Sequence, residues 1–341
     1  MTNYVTFDDV LLMPKFSTIL SREDCETSTT FGTNPVSSIS LDLPIISANM
    51  DTITGDKMTT LMSNEGGMGA LHRFCTIQEN IAMFNKNRHC IVSFGTGKKE
   101  LERALSLYEE GAYNFVLDVA HGASRIAVDA YNEFRRNLPK HAYDVHVMVG
   151  NFASYDSIIA FTKNVEVKPD SFKVGIGGGS MCTTRIVTGV GVPTLASVMD
   201  CVKTGYPIIA DGGIRNSGDV AKCLAAGAKA VMIGSMLAGT DETPGEVEMY
   251  NDIQHKVYRG SASKESYEAQ GKVAKHRTPE GESTYIRCKG SASDVLQSIR
   301  AGVVSSMSYL NSIDLTEFRE NASFINITSN GMAESKAHGK R

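Results

Sequence analysis

The sequence predicts a (β/α)8 barrel, the TIM-barrel architecture, from three observations. Eight short apolar runs rich in β-branched residues recur through the middle of the chain, and segments of helical length separate them. Several of these runs end in polar or glycine-rich residues, at the edge where the active sites of barrels lie. The length of 341 residues also suits one such barrel with insertions.

The predicted strands are short and almost continuously apolar, which is typical of strands covered on both faces. They span residues 43–48, 68–72, 90–94, 115–119, 145–150, 172–176, 207–210 and 230–234. Apolar residues at spacings of three and four predict helices between them, for example over 98–110, 123–138, 155–162 and 216–226. Strand followed by helix, eight times, predicts parallel pairing and closure into a barrel. An open doubly wound sheet is the structural alternative.

The residues after the eighth strand predict a long active-site flap and then a tail. The segment 258–290 has many charges, little apolar periodicity and more length than a plain connection needs, so we expect a lid or a disordered loop. A helix is predicted over 292–310 and a small β-like piece over 322–328, and the polar tail 329–341 is expected to be disordered. Since no linker or longer repeat marks a second domain, we expect residues 1–341 to form a single catalytic domain.

Composition argues against nucleic acid and membranes as partners. Charged residues make up 21% of the chain and the formal net charge is −4, so no long-range positive field attracts polyanions. The apolar runs are too short to span a bilayer, and the N-terminus lacks the pattern of a signal peptide. Seven scattered cysteines without a zinc-type cluster suit a reducing compartment, so we expect a cytoplasmic protein.

The densest chemical signal is the segment 174–185, where a predicted strand runs into consecutive glycines followed by Ser180 and Cys182. Glycines let backbone N–H groups approach an anion closely, and Ser180 adds a hydroxyl. Exposed backbone dipoles also favour the thiolate form of a nearby cysteine. A buried, inert thiol is the commoner fate of a cysteine, but the position of Cys182 within this loop favours a nucleophile.

Two further strand ends predict contacts to a phosphorylated sugar. Asp211, Gly212 and Gly213 end the seventh strand and offer a carboxylate for sugar hydroxyls and two amides for phosphate. Gly234 and Ser235 follow the eighth strand and offer another amide and a hydroxyl. Turns use the same residue types, so each short motif is weak by itself. Their combination at strands seven and eight matches the usual place of phosphate sites in barrels.

Other polar residues at strand ends are open to two interpretations. Asp118 ends the fourth strand and either binds a cofactor ribose or amide or caps the helix near Ala123. The same alternative between a site and a purely structural role holds for His72 and Asn151. Glu280, between a proline and a glycine in the flap, either points a carboxylate inward or is solvated at the surface.

The motifs in colinear order resemble one family. These are 7–12 (Phe-Asp-Asp-Val-Leu-Leu), 48–51 (Ala-Asn-Met-Asp), 175–185 (Gly-Ile-Gly-Gly-Gly-Ser-Met-Cys-Thr-Thr-Arg), 188–191, 210–215 (Ala-Asp-Gly-Gly-Ile-Arg), 218–219 and 244–246. They are similar to the motifs of the IMP dehydrogenase and GMP reductase superfamily over about residues 5–310. The resemblance implies a barrel that binds a purine nucleoside monophosphate and exchanges hydride between C2 of the base and a nicotinamide.

The resemblance assigns roles to particular residues. It implies Cys182 as the nucleophile that adds to C2, with Thr184 and Glu280 as its catalytic partners. The implied substrate-binding residues are Ser180, Asp211, Gly212, Gly213, Gly234, Ser235, Tyr258, Gly260, Ser261, Arg277 and Gly281. The implied cofactor-binding residues are His72, Asp118, Ala120 and Asn151. Backbone carbonyls of Gly177, Gly179 and Cys182 match potassium ligands of the dehydrogenase branch, and the family commonly forms homotetramers.

Differences between the two branches favour the reductase, which converts GMP to IMP and ammonia with NADPH. The dehydrogenase, which oxidises IMP with NAD, carries an Arg-Tyr pair in its flap as the hydrolytic base. Residues 260–289 contain no Arg-Tyr dipeptide, whereas Glu280 stands where the reductase glutamate would. The βα pattern from His72 to Gly95 also leaves no room for the regulatory CBS modules of most dehydrogenases.

Three alternatives remain at the level of sequence. Residues 182–192 and 211–221 are more like the dehydrogenase, so an IMP dehydrogenase without CBS modules is the second interpretation. A divergent member that prefers a deoxynucleotide such as dGMP is another. A non-catalytic purine nucleotide sensor would not need Cys182, Thr184 and Glu280 together.

Overall fold

The computed structural model describes residues 4–139, 142–269 and 278–335. Its N-terminal region contains three short strands, β1 (Val10–Leu12), β2 (Thr29–Phe31) and β3 (Ile39–Leu41). β2 and β3 form an antiparallel hairpin, and their apolar side chains join the cluster inside the barrel. His146, at the start of a barrel strand, lies 2.8 Å from the carbonyl oxygen of Ser37 in the hairpin turn. The hairpin therefore closes the N-terminal end of the barrel.

Eight parallel strands close into a barrel, which confirms the predicted fold class. They are β4 (Ile45–Ser47), β5 (Met68–Leu71), β6 (Cys90–Phe94), β7 (Asn114–Asp118), β8 (His146–Phe152), β9 (Ser171–Val174), β10 (Ile208–Asp211) and β11 (Ala230–Ile233). Each strand pairs with the next in chain order, and β11 pairs with β4 to complete the ring. Every predicted run forms one of these strands, with ends that differ by at most two residues. The open-sheet alternative is wrong.

Helices cover the outside of the barrel and bury a continuous apolar layer against it. They are α1 (Asp56–Asn64), α2 (Ile77–Lys86), α3 (Lys98–Glu109), α4 (Arg125–Asn137), α5 (Tyr155–Asn164), α7 (Thr194–Cys201) and α8 (Ser217–Ala225), whereas the short helix α6 (Thr184–Thr188) follows β9 and has no buried residue. Several begin at a residue whose side chain accepts a hydrogen bond from the first turn. Thr76 does so for α2, Ser124 for α4 and Asn216 for α8.

The period of two along each strand decides which side chains face the barrel interior. Val116 of β7 and Ile209 of β10 belong to the inner apolar cluster. Two positions further along these strands stand Asp118 and Asp211, and Lys173 occupies an inward position on β9. The interior is therefore apolar through most of its depth and becomes charged at the carboxyl ends of the strands.

The flap is more regular than the sequence predicts. β12 (Glu248–Tyr250), β13 (Ile253–Arg259) and β14 (Ser283–Arg287) form a three-stranded antiparallel sheet, and α9 (Lys264–Ala269) follows β13. Of the two expectations for 258–290, a disordered loop is thus wrong for most of the described residues, and a lid stays a prediction. Much of the sheet faces solvent, so its strands carry charges where buried strands would carry apolar residues.

The C-terminal region packs back on the barrel and on the N-terminal segment. It contains α10 (Ala292–Tyr309), α11 (Leu315–Asn321), β15 (Phe324–Asn326) and α12 (Ser329–Glu334), and β15 pairs antiparallel with β1. The predicted disorder of the tail is wrong for residues 329–335, because Thr328 caps α12. Residues 336–341 lie outside the described part of the chain. Within the described ranges, no helix has both the length and the apolar character required to cross a membrane.

Candidate active site

A cavity of about 430 Å³ opens at the carboxyl ends of the barrel strands, where the glycine loop (residues 175–182) and the flap meet. Most residues that the sequence singles out lie on its wall. From the predicted catalytic and metal set these are Gly177, Gly179, Cys182, Thr184 and Glu280. From the predicted substrate and cofactor sets they are Asp118, Ala120, Asn151, Ser180, Asp211, Gly212, Gly213, Gly234, Ser235, Tyr258, Gly260, Ser261 and Gly281. The fold thus brings together residues spread over 164 positions of sequence, from 118 to 281.

Among the predicted site residues that the structure describes, His72 is not one of those that line the cavity. The His72 side chain is buried, and its Nδ1 lies 3.2 Å from the backbone nitrogen of Phe74, which donates to it. Burial lowers the pKa of His72, so its ring stays neutral beneath the wall. The neighbours Arg73 and Phe74 line the cavity in its place. Arg277 lies outside the described residues.

The glycine loop begins directly after β9 with Gly175. This position leaves no room for a side chain. Gly175 has a φ of +149°, and a Cβ built there would stand 1.8 Å from the carbonyl oxygen of Asp211. The backbones after β9 and β10 therefore touch at this point. This close approach holds the start of the glycine loop against the Asp211 strand end.

We expect Gly175→Ala to lower the free energy of unfolding by about 3 kcal/mol or more, because neither backbone can yield without displacing a strand end. Gly205→Ala is the matched control, since Gly205 also has a positive φ but no atom within 4 Å of the added Cβ. Urea unfolding of both variants separates the clash from backbone strain. Equal losses in the two variants would contradict the close-approach account.

Cys182 is the cysteine whose surroundings suit a nucleophile. Its side chain is half-buried on the cavity wall, and its Sγ lies 3.1 Å from Oγ1 of Thr184. Burial raises the pKa of Cys75 to about 11 and that of Cys90 to about 12, which keeps those thiols protonated. Burial likewise raises the pKa of Cys201 to about 12.

Backbone hydrogen bonds join the flap to the end of the glycine loop, around Cys182. The amide of Thr183 donates to the Glu280 carbonyl at 2.9 Å, and the amide of Glu282 donates to the Met181 carbonyl at 2.9 Å. Gly281 forms an isolated β-bridge with Cys182. These contacts carry the half-buried Glu280 side chain to the same cavity as the thiol. The alternative of a solvated surface glutamate is therefore wrong.

The opposite wall presents hydroxyl and amide donors. Ser180 Oγ lies 3.0 Å from the hydroxyl oxygen of Tyr258, and burial raises the pKa of that phenol, so it remains a donor. Gly213, Gly234 and Ser235 line the same cavity. Convergent backbone amides and neutral hydroxyls are a common way to hold a phosphate.

Four polar side chains from consecutive strands meet on the cavity floor. Nζ of Lys173 donates to Asp211 Oδ2 at 2.7 Å and lies 3.2 Å from Asp118 Oδ1. Asn151 Oδ1 is a further acceptor for the same ammonium, and Asn151 Nδ2 donates to Asp211 Oδ2 at 2.9 Å. Ser124 caps the helix after β7, so the capping alternative for Asp118 is wrong.

The ammonium controls the charge state of this floor. Burial alone would raise the pKa of Asp118, but the positive charges of Lys173 and Arg73 outweigh burial and hold it below its usual range. Burial likewise opposes the charge of Lys173, yet Asp211 and Asp118 raise its pKa above the ordinary value. Both side chains are therefore charged at neutral pH.

Sequence reasoning missed Lys173 and the pair Arg73 and Phe74. A lysine inside an otherwise apolar strand, at the inward register of Ser171, was the signal available for Lys173. Arg73 and Phe74 directly follow the predicted strand that ends at His72, and only the course of the backbone decides which of the three residues reaches the cavity.

Side chains of the described residues form no group of three or more His, Cys, Asp or Glu that could hold a metal ion. The predicted potassium ligands are backbone carbonyls instead. Gly177 and Gly179 line the cavity, and the Gly179 carbonyl is turned toward the Cys182 amide at 3.0 Å. Carbonyl oxygens are the type of ligand that a hard cation prefers, and in this structure the Gly179 carbonyl accepts a hydrogen bond from the Cys182 amide, so the potassium site stays a prediction.

Fold and site together define a class, namely barrel enzymes with a cysteine beside a glycine-lined, phosphate-sized cradle. The chain belongs to the IMP dehydrogenase / GMP reductase domain family, whose model matches residues 4–338. It follows that the protein is an oxidoreductase of purine metabolism whose family uses a nicotinamide cofactor.

Relatives carry the names of both branches. An inosine-5′-monophosphate dehydrogenase of Cryptosporidium parvum is 34% identical over 98% of this chain and 94% of its own length. A GMP reductase of Leishmania major is 29% identical over 98% of this chain and 96% of its own. The crystal structure of a cysteine-to-alanine variant of GMP reductase from Trypanosoma brucei, in complex with guanosine 5′-monophosphate, superposes with a TM-score of 0.90. The match covers 100% of this chain and 99% of that one at 26% identity.

Proposed function

We propose that the protein is a GMP reductase that converts GMP, or dGMP, to IMP, or dIMP, and ammonia with NADPH. The observation that carries this proposal is the flap. It brings Glu280 to the cavity of Cys182 and Thr184, and residues 260–289 contain no Arg-Tyr dipeptide to act as a hydrolytic base. A reductase needs proton transfer to a leaving amine and no attack by water on the adduct.

The nucleotide binds across the glycine-rich end of the barrel. Its phosphate takes the amides and hydroxyls near Ser180, Gly213, Gly234 and Ser235, and Tyr258 completes this cradle. Asp211 accepts hydrogen bonds from the ribose. Gly260, Ser261 and Gly281 line the cavity beside the flap and flank the base. These contacts place C2 near the thiolate, so that attack becomes effectively intramolecular.

Chemistry begins with Cys182. Thr184 Oγ1, 3.1 Å from Sγ, takes part in removing the thiol proton, and a C–S bond forms at C2 as the adjacent ring nitrogen takes a proton. Glu280 and Thr184 then protonate the 2-amino group, which leaves as ammonia with the electron pair of its C–N bond. After C2 has been reduced, the C–S bond breaks, the thiolate returns and IMP remains.

The cofactor site lies on the β7 and β8 side of the same cavity. Asp118 and Asn151 offer polar groups there, and the exposed Ala120 leaves space beside them. When bound, the nicotinamide supplies the hydride that C2 receives. We propose NADPH because the reductase branch uses it, with NAD as the alternative.

We further propose a potassium ion at the carbonyls of Gly177, Gly179 and Cys182. A cation there would fix the glycine loop. Replacing potassium by a large organic cation at equal ionic strength is expected to lower the turnover rate, with restoration on adding potassium back. A turnover rate that is the same with either cation would contradict the proposed potassium site.

An IMP dehydrogenase without CBS modules is the second candidate. The 34% identity to the Cryptosporidium parvum enzyme over nearly the whole chain supports it. The dehydrogenase direction would need another hydrolytic base within the flap. A purine nucleotide sensor is the third, and it leaves the Cys182–Thr184 contact without a use.

We propose a homotetramer in the cytoplasm. Exposed apolar side chains of the flap sheet support self-association, since Met249 is 62% exposed and Tyr250 is 69% exposed. All seven cysteines are free, which suits a reducing compartment. Light scattering after size exclusion would give the mass of the assembly, and a monomer would contradict this part of the proposal.

The absorbance of reduced nicotinamide tests the direction of the reaction. We expect loss of absorbance with GMP or dGMP plus NADPH, with ammonia released in equal amount. Gain of absorbance with IMP plus NAD and potassium, and no loss with either guanine nucleotide, would establish the dehydrogenase instead. Nucleotide binding without turnover in either direction would support the sensor.

A further inference from the structure

The charged floor of the cavity contains one cation between two carboxylates. Lys173 is 3% exposed, and its Nζ lies within hydrogen-bond reach of Asp211 on one side and Asp118 on the other. The two carboxylates can be no further apart than the sum of these two distances. At such a separation two half-buried carboxylates, 17% and 20% exposed, would not both ionise readily at neutral pH without a cation between them.

The two carboxylates face different ligands in the proposed function. Asp211 stands on the side of the nucleotide ribose, and Asp118 on the side of the cofactor. An ionised, fixed carboxylate is a far better acceptor for sugar hydroxyls than a protonated one. The group that keeps both ionised therefore acts on both ligands at once.

We propose that Lys173 is a positioning residue that holds Asp211 and Asp118 as paired, ionised acceptors and so couples the nucleotide site to the cofactor site. This inference rests on the proposed function for the identity of the two ligands. The charge state of the floor does not depend on the proposed function and can be measured on the protein without ligands.

The other charged groups around the floor do not replace the ammonium. Arg73 reaches the backbone carbonyl of Asp118 at 3.4 Å, but Glu100 lies 3.5 Å from its guanidinium and partly neutralises it. On the opposite side Tyr258 stays a neutral phenol near Asp211. Asn151 and Asn49, which also contacts Asp118, carry no charge. Lys173 thus lies nearer both carboxylates than the next cation does.

Lys173→Met removes the ammonium and keeps a side chain of similar length. The pair of carboxylates should then retain one proton with a raised pKa. A carboxyl group with a pKa raised in the folded state favours folding at low pH, and this contribution is lost as the pH rises through that pKa. The stability deficit of the variant should therefore widen between about pH 5 and about pH 8.

Two further variants separate charge from packing. Adding Asp118→Asn to Lys173→Met restores the net charge of the floor. The pH-dependent part of the loss of stability should therefore vanish in the double variant. Arg135→Met removes another buried ion pair, that of Arg135 with Asp170 at 2.8 Å, near the amino ends of the strands. It should lower stability without changing ligand affinity.

Calorimetric titration with GMP and with NADPH provides the second readout. We expect Lys173→Met to weaken both ligands by about tenfold or more, the scale for losing a hydrogen bond to a charged group. Both losses should be larger at about pH 6 than at about pH 8, where the shared proton is released. Lys173→Arg, which keeps the charge, should recover part of the affinity.

The outcomes distinguish the two proposals. Wild-type protein that binds neither GMP nor IMP would end the proposed function, and the unfolding experiments would still decide the role of Lys173. If wild-type protein binds the nucleotide but the loss of stability in Lys173→Met does not depend on pH, the role of Lys173 is overturned and the proposed function stays intact. If the single variant does not fold while the double variant does, unpaired charge is the cause, as proposed.

Discussion

Cys182→Ala is expected to abolish turnover while nucleotide binding persists. Loss of a covalent nucleophile removes the step on which every later step depends, so the rate should fall by roughly 10⁴-fold or more. The phosphate and ribose contacts come from other residues, and the dissociation constant for GMP should change by no more than about threefold. Steady-state rates and calorimetry on the same preparation measure the two effects.

A second cysteine provides the control for Cys182→Ala. Cys288 is also half-buried but does not line the cavity, so Cys288→Ala should keep the wild-type rate. Turnover by Cys182→Ala within about tenfold of wild type would end the covalent scheme. Equal losses in both variants would point to a general effect on folding.

Glu280→Gln is expected to slow turnover by roughly 10² to 10⁴, the usual contribution of a positioned acid or base. The amide keeps the shape of the side chain, and the backbone hydrogen bonds of Glu280 to Thr183 and Ala262 do not involve it. The flap should therefore still close. Because the 2-amino group must be protonated before it leaves as ammonia, the release of ammonia should fall in step with the consumption of reduced cofactor.

The neighbouring glutamate is the matched control for Glu280→Gln. Glu282 is exposed and does not line the cavity, although its amide helps to clamp the glycine loop. Glu282→Gln should leave the rate unchanged. A normal rate for Glu280→Gln would remove that carboxylate from the mechanism and reopen the search for the proton donor.

The barrel could be predicted from the sequence because its strands are buried on both faces. Runs such as Phe115–Leu117 have no polar interruption, and the alternating helices leave parallel pairing as the simplest arrangement. The predicted cavity residues followed from strand ends, since the carboxyl ends of all eight strands lie at one rim.

The regular structure of the flap and of the tail could not be predicted from the sequence, and the physical reason is the same for both. β13 and β14 form a sheet that is only partly buried, and one buried side chain of β13 is the charged Lys256, so these strands lack the apolar signal by which buried strands are recognised. α12 is a six-residue helix of mostly small and polar residues, held by a cap at Thr328 and by packing near the N-terminal segment. Tertiary contacts and not local pattern determine these elements.

Lys173 and His72 illustrate the limit within the site itself. Both stand at or near a strand end, and chemistry alone favours His72 for a functional role. The interior register instead directs Lys173 to the floor, while the His72 ring is turned to the buried side of the wall. A shift of one residue along the strand would exchange the inward and outward side chains. The periodicity of so short a strand does not determine from sequence which side chains face inward.

Trapping the nucleotide on the protein tests the central claim most directly. Wild-type protein is mixed with GMP and NADPH, or with IMP and oxidised cofactor, and is quenched in acid during turnover. We predict an added mass of one purine nucleotide on the peptide that contains Cys182, in wild type and in increased amount in Glu280→Gln supplied with GMP. Full turnover with no adduct on Cys182, or an adduct on another residue, would contradict the account.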